Sequence, residues 1–218
     1  MINQNTPENY DKLYIEQPDR WSHVDYFDFY IEYFLKKIYD DRPLKLLDMG
    51  CGLGRTIKWI KRLKNIDITG IDFSQEALNL ARRKNPEPEI KLLKMDMKHT
   101  PFKNQEFDVV LSVGTHEHLP EIDFSEPRRL IKDDHFFICI LPDIDKDCGW
   151  TGEGVNQQWL ITKEMWVKEL TRFNFRVIKY IKPWIFICYP YAENTREKEM
   201  PWLYTPEGNY LGIEAFKK

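Results

Sequence analysis

A short apolar run that ends in three glycines is the feature that most constrains how this chain folds. Residues 44–48 are mainly apolar, and Gly50, Gly52 and Gly54 follow at once. The run predicts a buried β-strand, and glycines directly after it permit positive φ angles and a close approach of the backbone to a ligand. Apolar residues at helical spacing over 55–63 predict that a helix comes next. The segment therefore predicts a strand–turn–helix unit of an α/β protein.

Strand and helix patterns alternate along the rest of the chain. Further strands are predicted over 66–71, 90–94, 107–113, 135–141, 175–181 and 210–216. Helices are predicted over 21–39, 75–84, 124–132 and 163–173, the last with Thr162 as its N-cap. This alternation is typical of a mainly parallel sheet with helices on both faces.

The length and charge of the chain limit its partners. The 218 residues fit one domain with a modest appendage, and 32 basic against 35 acidic residues give a net charge of −3. Nucleic-acid binding needs a basic surface, so no nucleic-acid partner is expected. The apolar runs are too short to span a bilayer, and the first residues carry no signal pattern, so we expect a cytoplasmic protein without a membrane partner.

Acidic residues follow the predicted strands at the edge where such sheets bind ligands. Asp48 ends the first strand, Asp72 follows the second, and Asp96 follows the third. The fourth strand leads into residues 112–118, which contain two histidines. Because the carboxyl ends of parallel strands share one edge of a sheet, we expect these groups to converge on one site. A carboxylate in the position of Asp72 is placed to accept both hydroxyls of a ribose.

A nicotinamide or flavin dinucleotide is the competing ligand for such a site. Its fingerprint is G-x-G-x-x-G/A, but here the third glycine is Gly54, and Arg55 stands where Gly or Ala is expected. The Tyr-x-x-x-Lys spacing of a short-chain dehydrogenase occurs only at Tyr33 and Lys37, upstream of the glycine turn. Both departures disfavour a dinucleotide.

Five segments in order resemble the motifs of the class I S-adenosylmethionine-dependent methyltransferases, and in particular their type 11-like small-molecule group. They lie at 47–54, 70–74, 94–97, 107–112 and 129–132, and 117–120 is a frequent continuation of the fourth. The resemblance is continuous from about residue 44 to residue 142. The chain departs from the pattern at Asp133-Asp134, where Pro-Gly-Gly is usual, and at Asn174, where Gly is usual; both residue types tolerate turns.

The resemblance implies a Rossmann-like fold and S-adenosylmethionine as the cofactor, with S-adenosylhomocysteine as its product. The implied sheet has seven mostly parallel strands in the order 3-2-1-4-5-7-6, the last antiparallel, with helices on both faces. The backbone of Gly50, Cys51 and Gly52 would pack against the methionine part of the donor. Asp48 would support that turn or reach the donor's amino group, and Asp72 would bind the ribose hydroxyls.

Further donor contacts are implied after the second, third and fourth strands. Phe73 is assigned to the donor site next to Asp72. Asp96 would accept a hydrogen bond from the adenine amino group, and Met97 would line the adenine ring. Ser112 and Val113 would lie near the sulfonium centre.

Catalytic groups are predicted in the loop after the fourth strand, at His116, Glu117 and His118. Histidine titrates near working pH, so we assign His116 as the base or as a group that orients the acceptor, with a solvated loop histidine as the alternative. The position of His118 is often histidine in the family, and a structural role is open there. Some quinone-pathway enzymes carry a Glu-x-x-Glu-His metal cluster here; Gly114 replaces its first Glu, so no metal is predicted.

The segments outside the common core suggest where an acceptor binds. Residues 1–43 are predicted to form an N-terminal helical cap over the donor, with Tyr14 and Trp21 in contact with it. Residues 44–218 form the methyltransferase domain, with lid insertions at 143–160 and 183–208. Both insertions are aromatic, which suits a polar acceptor with carbon faces, such as a sugar, although the aromatic residues could equally pack the lids onto the domain.

These patterns predict methyl transfer to a small polar acceptor, with a hydroxyl of a sugar or a sugar-linked intermediate as the favoured form. Residues 5–14 resemble the start of methyltransferases in bacterial surface-polysaccharide biosynthesis. A methyltransferase acting on protein or nucleic acid, and a donor-binding module without catalysis, are the alternatives. A homodimer is left open.

Overall fold

The computed structural model of the chain contains the predicted alternation of strands and helices. It describes residues 4–21, 25–39, 42–145, 148–152, 154–181 and 185–190. The helices are α1 (Pro7–Glu16), α2 (Asp25–Tyr39), α3 (Arg55–Ile60), α4 (Gln75–Lys84), α5 (Ser125–Leu130) and α6 (Lys163–Arg172). The strands are β1 (Leu44–Met49), β2 (Ile66–Asp72), β3 (Lys91–Lys94), β4 (Phe107–Val113), β5 (Ile131–Ile140), β6 (Gly149–Thr151), β7 (Gln158–Leu160), β8 (Phe175–Ile181) and β9 (Ile185–Pro190). Within these ranges no helix has the length and apolarity needed to cross a membrane.

Seven strands form one sheet in the order β3-β2-β1-β4-β5-β9-β8. The five strands from β3 to β5 are parallel, and β9 runs antiparallel to both of its neighbours. Counted along the sheet-forming part of the chain, this is the order 3-2-1-4-5-7-6. The predicted fold class, sheet order and antiparallel last strand are therefore confirmed.

The central strands are buried on both faces because helices cover each side of the sheet. Leu46 of β1 belongs to a core cluster with residues of α2, α3 and α4, whereas its neighbour Leu47 belongs to a cluster with residues of α5 and α6. Val109 and Val110 of β4 divide between the two clusters in the same way. Successive side chains of a strand point to opposite faces, so two apolar layers hold the sheet in the middle of the domain.

Helix α1 lies within the predicted N-terminal helical cap of residues 1–43, upstream of the one helix, 21–39, that the sequence patterns placed there. Thr6 caps α1 by accepting a hydrogen bond from the Asn9 N–H, and Pro7 occupies the first turn. Both are helix-start signals, and α1 buries Leu13 and Tyr14. A small cluster that contains Tyr14, Leu53, Ala77 and Leu80 joins α1 to the glycine turn and α4.

Three local predictions differ from the structure. The strand beside β5 is Ile185–Pro190, which was not predicted as a strand; its apolar residues are buried and pair with β5. The predicted strand at 210–216 lies outside the described residues. Part of the predicted lid at 183–208 is therefore sheet. The first lid, 143–160, contains the antiparallel hairpin β6–β7. Helix α5 ends at Leu130, and Ile131 already pairs with Phe107.

An ion cluster joins β1, β4 and β5 at the edge of the sheet opposite the glycine turn. The Asp108 carboxylate accepts hydrogen bonds from the Lys45 N–H at 2.8 Å and from Lys132 Nζ at 2.7 Å. His135 Nε2 lies 3.1 Å from Asp108 Oδ1, and His135 Nδ1 lies 2.9 Å from the Asp133 carbonyl oxygen. A histidine with an acceptor at each ring nitrogen is stabilised as the imidazolium, so the hydrogen bond to Asp108 raises the pKa of His135.

This cluster predicts a pH-dependent contribution to stability. Because the pKa of His135 is higher in the folded than in the unfolded protein, protonated His135 stabilises the fold. This contribution is complete below the unfolded-state pKa of about 6.5 and is lost as the pH rises through the folded-state pKa. We expect His135→Gln to lower the free energy of unfolding by about 1 kcal/mol near pH 6, with the difference shrinking toward zero near pH 9. Urea unfolding at both pH values measures it, with His99→Gln as an exposed histidine control. A difference that is constant with pH would contradict the assignment.

Candidate active site

A cavity of about 600 Å³ opens at the carboxyl ends of the parallel strands. Its wall brings together thirteen of the fifteen residues that the sequence assigned to the site. These are Tyr14, Trp21, Asp48, Gly50, Cys51, Gly52, Asp72, Phe73, Asp96, Met97, Val113, Glu117 and His118. The other two, Ser112 and His116, are buried behind the wall.

The glycine turn after β1 forms the floor of the cavity. The N–H groups of Gly50 and Cys51 both donate to the Ile71 carbonyl oxygen, at 2.8 and 2.9 Å. Gly50 and Gly52 have φ angles of +72° and +52°. A Cβ atom on Gly52 would lie 2.9 Å from the Tyr14 hydroxyl oxygen, and one on Gly50 would collide with Thr115. Only glycine keeps the turn open at these two positions, as the sequence predicted.

Asp72 is held by two backbone groups at the end of β2. Its Oδ2 accepts from the Gly52 N–H and its Oδ1 from the Ser74 N–H, both at 2.9 Å. Burial raises the pKa of Asp72 to about 6, against the opposing effect of these hydrogen bonds. Each oxygen keeps a lone pair for a second donor, so the fixed carboxylate suits a pair of vicinal hydroxyls.

Asp48 is a buried carboxylate in the cavity wall whose two oxygens have no hydrogen-bond partner among the described residues. Its pKa is raised to about 7 by burial first and by Asp28 and Asp72 next, with Arg55 acting in the opposite direction. Buried polar groups are normally paired, so these two oxygens point to a ligand that donates hydrogen bonds. The ammonium group of a methionine moiety fits that requirement.

Helix α2 contributes an acidic residue that the sequence analysis missed. Asp28 is fully buried, lies 2.7 Å from Arg55 Nε, and accepts a hydrogen bond from the Thr56 hydroxyl at 2.8 Å. It fixes the first turn of α3, directly after the glycine turn. Its spacing was the signal that could have identified it. Asp28 precedes Ile31 by three residues and Leu35 by seven, which places it on the buried face of the helix.

Aromatic side chains of the N-terminal segment close the end of the cavity beside Phe73. Tyr10 of α1 packs against Phe73 with a centroid distance of 5.1 Å, and Tyr14 packs against Trp21 at 5.4 Å. Burial raises the pKa of Tyr14 well above its ordinary value, so its hydroxyl stays neutral. Beyond this wall, Asp96 is exposed at the rim and accepts a hydrogen bond from the Lys98 N–H at 2.9 Å.

The structure does not support His116 as the base. Its ring is 2% exposed, stacks on Phe124, and is hydrogen-bonded through Nδ1 to the Ser112 hydroxyl. Burial lowers the pKa of His116 to about 3, so it remains neutral in the core. The same bond holds Ser112 behind the cavity wall, so of the two residues predicted near the sulfonium centre only Val113 lines the cavity.

Of the three residues predicted as catalytic in this loop, Glu117 and His118 line the cavity. His118 Nδ1 lies 2.8 Å from the Gln157 carbonyl oxygen. A carbonyl only accepts, so Nδ1 carries the proton and Nε2 keeps its lone pair in the neutral ring. Nε2 is 3.9 Å from Glu117 Oε1. The Asn5 side-chain amide donates to the carbonyl oxygens of His118 and Gln157, at 2.9 and 2.8 Å, and ties the N-terminal segment to both loops.

Trp150 and Trp159 do not line the cavity. Their rings pack against each other across the β6–β7 hairpin with a centroid distance of 5.7 Å. Trp159 Nε1 donates to the Leu119 carbonyl oxygen at 3.0 Å and packs against the core. In the described part of the first lid, the aromatic residues therefore hold the lid onto the domain. Of the aromatic residues predicted in the second lid, Tyr189 is part of β9, and the others lie outside the described residues: Trp184, Tyr191, Trp202 and Tyr204.

Comparisons with known proteins support a methyltransferase. Residues 47–139 match the family model of a methyltransferase domain. An uncharacterized protein of Methanocaldococcus jannaschii is 26% identical and matches over 86% of this chain and 85% of its own. A demethylmenaquinone methyltransferase of Lactobacillus johnsonii is 33% identical over 46% of this chain, which spans 45% of that relative.

Among solved structures, a Burkholderia thailandensis 1,6-didemethyltoxoflavin-N1-methyltransferase has a similar fold. Its structure holds 1,6-didemethyltoxoflavin and S-adenosylhomocysteine. The two chains superpose with a TM-score of 0.69 at 16% identity, over 85% of this chain and 87% of that one. An identity of 16% shows that the two chains share a fold and nothing more.

Proposed function

We propose that this chain, an S-adenosylmethionine-dependent methyltransferase, transfers the methyl group to a hydroxyl of a small molecule with His118 as the base. The class follows from the methyltransferase-domain match, the sheet order and the named relatives. The observation that carries the proposed chemistry is the position of the His118 ring. His118 lines the cavity with Glu117, its Nδ1 is hydrogen-bonded to the Gln157 carbonyl oxygen, and its Nε2 is 3.9 Å from Glu117 Oε1.

The proposed donor site occupies the β1–β2–β3 side of the cavity. Asp72 takes the ribose hydroxyls, Asp48 takes the ammonium group, and Asp96 with Met97 takes the adenine. S-adenosylmethionine supplies a methyl group on a sulfonium, whose leaving group is a neutral thioether. The glycine turn and the N-terminal aromatic wall then have the task of alignment and of water exclusion.

The proposed acceptor chemistry lies with His118 and Glu117. As the new C–O bond forms, the hydroxyl proton passes to His118 Nε2. The resulting imidazolium lies 3.9 Å from Glu117 Oε1, a distance at which a carboxylate stabilises positive charge. The Gln157 carbonyl oxygen can only accept a hydrogen bond, so it keeps a proton on His118 Nδ1 before and after the transfer. The proton is therefore taken up at Nε2.

Replacing His118 with glutamine tests this assignment. We expect turnover to fall by about 100-fold or more, while the dissociation constant for S-adenosylhomocysteine stays within about twofold, because the change removes a base and leaves the donor contacts. Turnover of methyl-labelled donor with an active extract fraction and calorimetric binding measure the two quantities. His135→Gln, at the opposite edge of the sheet, is the matched histidine control. Normal turnover in His118→Gln would exclude it as the base.

A sugar or a sugar-linked intermediate of surface-polysaccharide biosynthesis is the acceptor that the sequence favours, and it competes with the apolar acceptor that the lining of the cavity favours. Its support is the resemblance of residues 5–14 and the aromatic content of the two predicted lids. Trp150 and Trp159 do not add to that support, because they pack against each other. Label from the donor in a hydrophilic glycan fraction is the result that would favour it.

A further inference from the structure

We infer that the acceptor end of the cavity takes an uncharged or cationic molecule with an apolar body, which presents an O–H or N–H to Glu117, and that it excludes acids. This inference rests on the proposed methyl transfer and specifies its acceptor. The structure supports it through the position, the lining and the charge of one half of the cavity.

The strand order separates the two ends of the cavity. The donor-side groups follow β1, β2 and β3, which occupy one side of the sheet. The loop that carries Glu117 follows β4, and the last residue of β5 leads into residues 141–144 on the other side. Both of these segments line the cavity, so its second half lies beyond the glycine turn, toward β5.

The wall of this second half is mostly aliphatic. It consists of Leu119, Pro120, Ile140, Pro142, Ile144 and Leu160. The wall is also fixed in place, since the Leu119 carbonyl oxygen accepts from Trp159 Nε1 and the Pro142 carbonyl oxygen accepts from Trp166 Nε1 at 2.7 Å. A fixed aliphatic surface favours a ligand with an apolar body, because burying apolar surface of the ligand against it lowers the free energy of binding. A face rich in hydroxyl groups would bury little apolar surface there.

Glu117 is the charged group of this half. It is 5% exposed, and its Oε2 has no hydrogen-bond partner among the described residues. The other carboxylate oxygen, Oε1, lies 3.9 Å from His118 Nε2. A buried carboxylate oxygen without a partner calls for a hydrogen-bond donor, which an acceptor O–H or N–H supplies.

The lysine and arginine that line the cavity lie close to acidic residues outside its acceptor half. Arg55 pairs with Asp28 at 2.7 Å, and Lys98 lies 3.9 Å from Asp96 at the adenine end. Within the described residues, the acceptor half thus offers no lysine or arginine to an anion. A carboxylate or phosphate on the acceptor would be buried near Glu117 with like charge, which is strongly unfavourable in a site of low dielectric constant.

Charge-separated extract pools test the inference. A small-molecule extract of the source cells is divided by ion exchange into anionic, neutral and cationic pools, and each is incubated with the protein and methyl-labelled S-adenosylmethionine. We expect at least about tenfold more label in the neutral and cationic pools together than in the anionic pool, and labelled product that a reversed-phase column retains. Glu117→Gln should lower that label about tenfold or more, with S-adenosylhomocysteine affinity unchanged.

The matched control is Glu121→Gln, which neutralises an exposed glutamate of the same loop outside this cavity and should retain wild-type labelling. Three results would overturn the inference: most label in the anionic pool, product that reversed phase does not retain, or equal labelling by Glu117→Gln and wild type. Absence of label from every pool, with donor affinity intact, would instead contradict the proposed methyl transfer on which the inference rests.

Discussion

Asp72→Ala will weaken the binding of S-adenosylhomocysteine by about 100-fold or more, because two hydrogen bonds from the ribose to a carboxylate are lost together. Loss of the side chain also removes the acceptors of the Gly52 and Ser74 N–H groups, which position the glycine turn and the start of α4. Both effects act on the donor end of the cavity, so we expect this to be the largest loss of donor affinity from a single side chain.

Calorimetric titration of the purified variants measures this effect. Asp72→Asn is the companion variant, since it keeps the volume and one acceptor oxygen and should lose less affinity than alanine. Asp67→Ala is the matched control: Asp67 lies on the same strand, but its exposed carboxylate pairs only with Lys91, at 2.8 Å. Donor affinity equal to wild type in Asp72→Ala would place the ribose elsewhere.

Asp28→Ala will lower the free energy of unfolding by about 3–5 kcal/mol, the usual effect of removing one partner of a buried ion pair. The Asp28 side chain is fully buried and that of Arg55 is 16% exposed, so the guanidinium would be left largely dehydrated without its carboxylate. The Thr56 hydroxyl loses its acceptor as well. Both lost interactions join α2 to the first turn of α3, so the substitution weakens the packing of these two helices.

Urea unfolding of wild type and variant gives this difference directly. Glu32→Ala, which removes a partly exposed acid from the same helix, should change the free energy of unfolding by less than about 1 kcal/mol. A double-mutant cycle with Arg55→Met isolates the ion pair, and a coupling energy near zero would show that Asp28 acts through packing alone.

The parts of the fold that could be predicted are those with a local signal. The strand into Gly50 and Gly52 and the alternation that follows are visible in short windows of sequence, because burial on both faces requires apolar strands. The position of the last strand is different. Residues 185–190 form a strand because they pair with β5, and no local pattern reports that pairing.

The histidines of the catalytic loop show the same limit at the scale of single residues. His116 and His118 are two positions apart, yet a short 3₁₀ turn directs one into the aromatic core and the other to the cavity. The sequence identifies the loop and its residue types. It does not report direction, because direction depends on where Phe124, Ser112 and Gln157 lie in the folded domain.

The parallel order of β3, β2, β1, β4 and β5 also has an evolutionary consequence. The groups suited to the donor come from residues 48–97, while the walls assigned to the acceptor come from residues 117–160. Substitutions in the second stretch can therefore change the walls assigned to the acceptor without replacing any of the groups suited to the donor. Such a separation lets the choice of acceptor change one loop at a time, with the proposed nucleoside contacts left as they are.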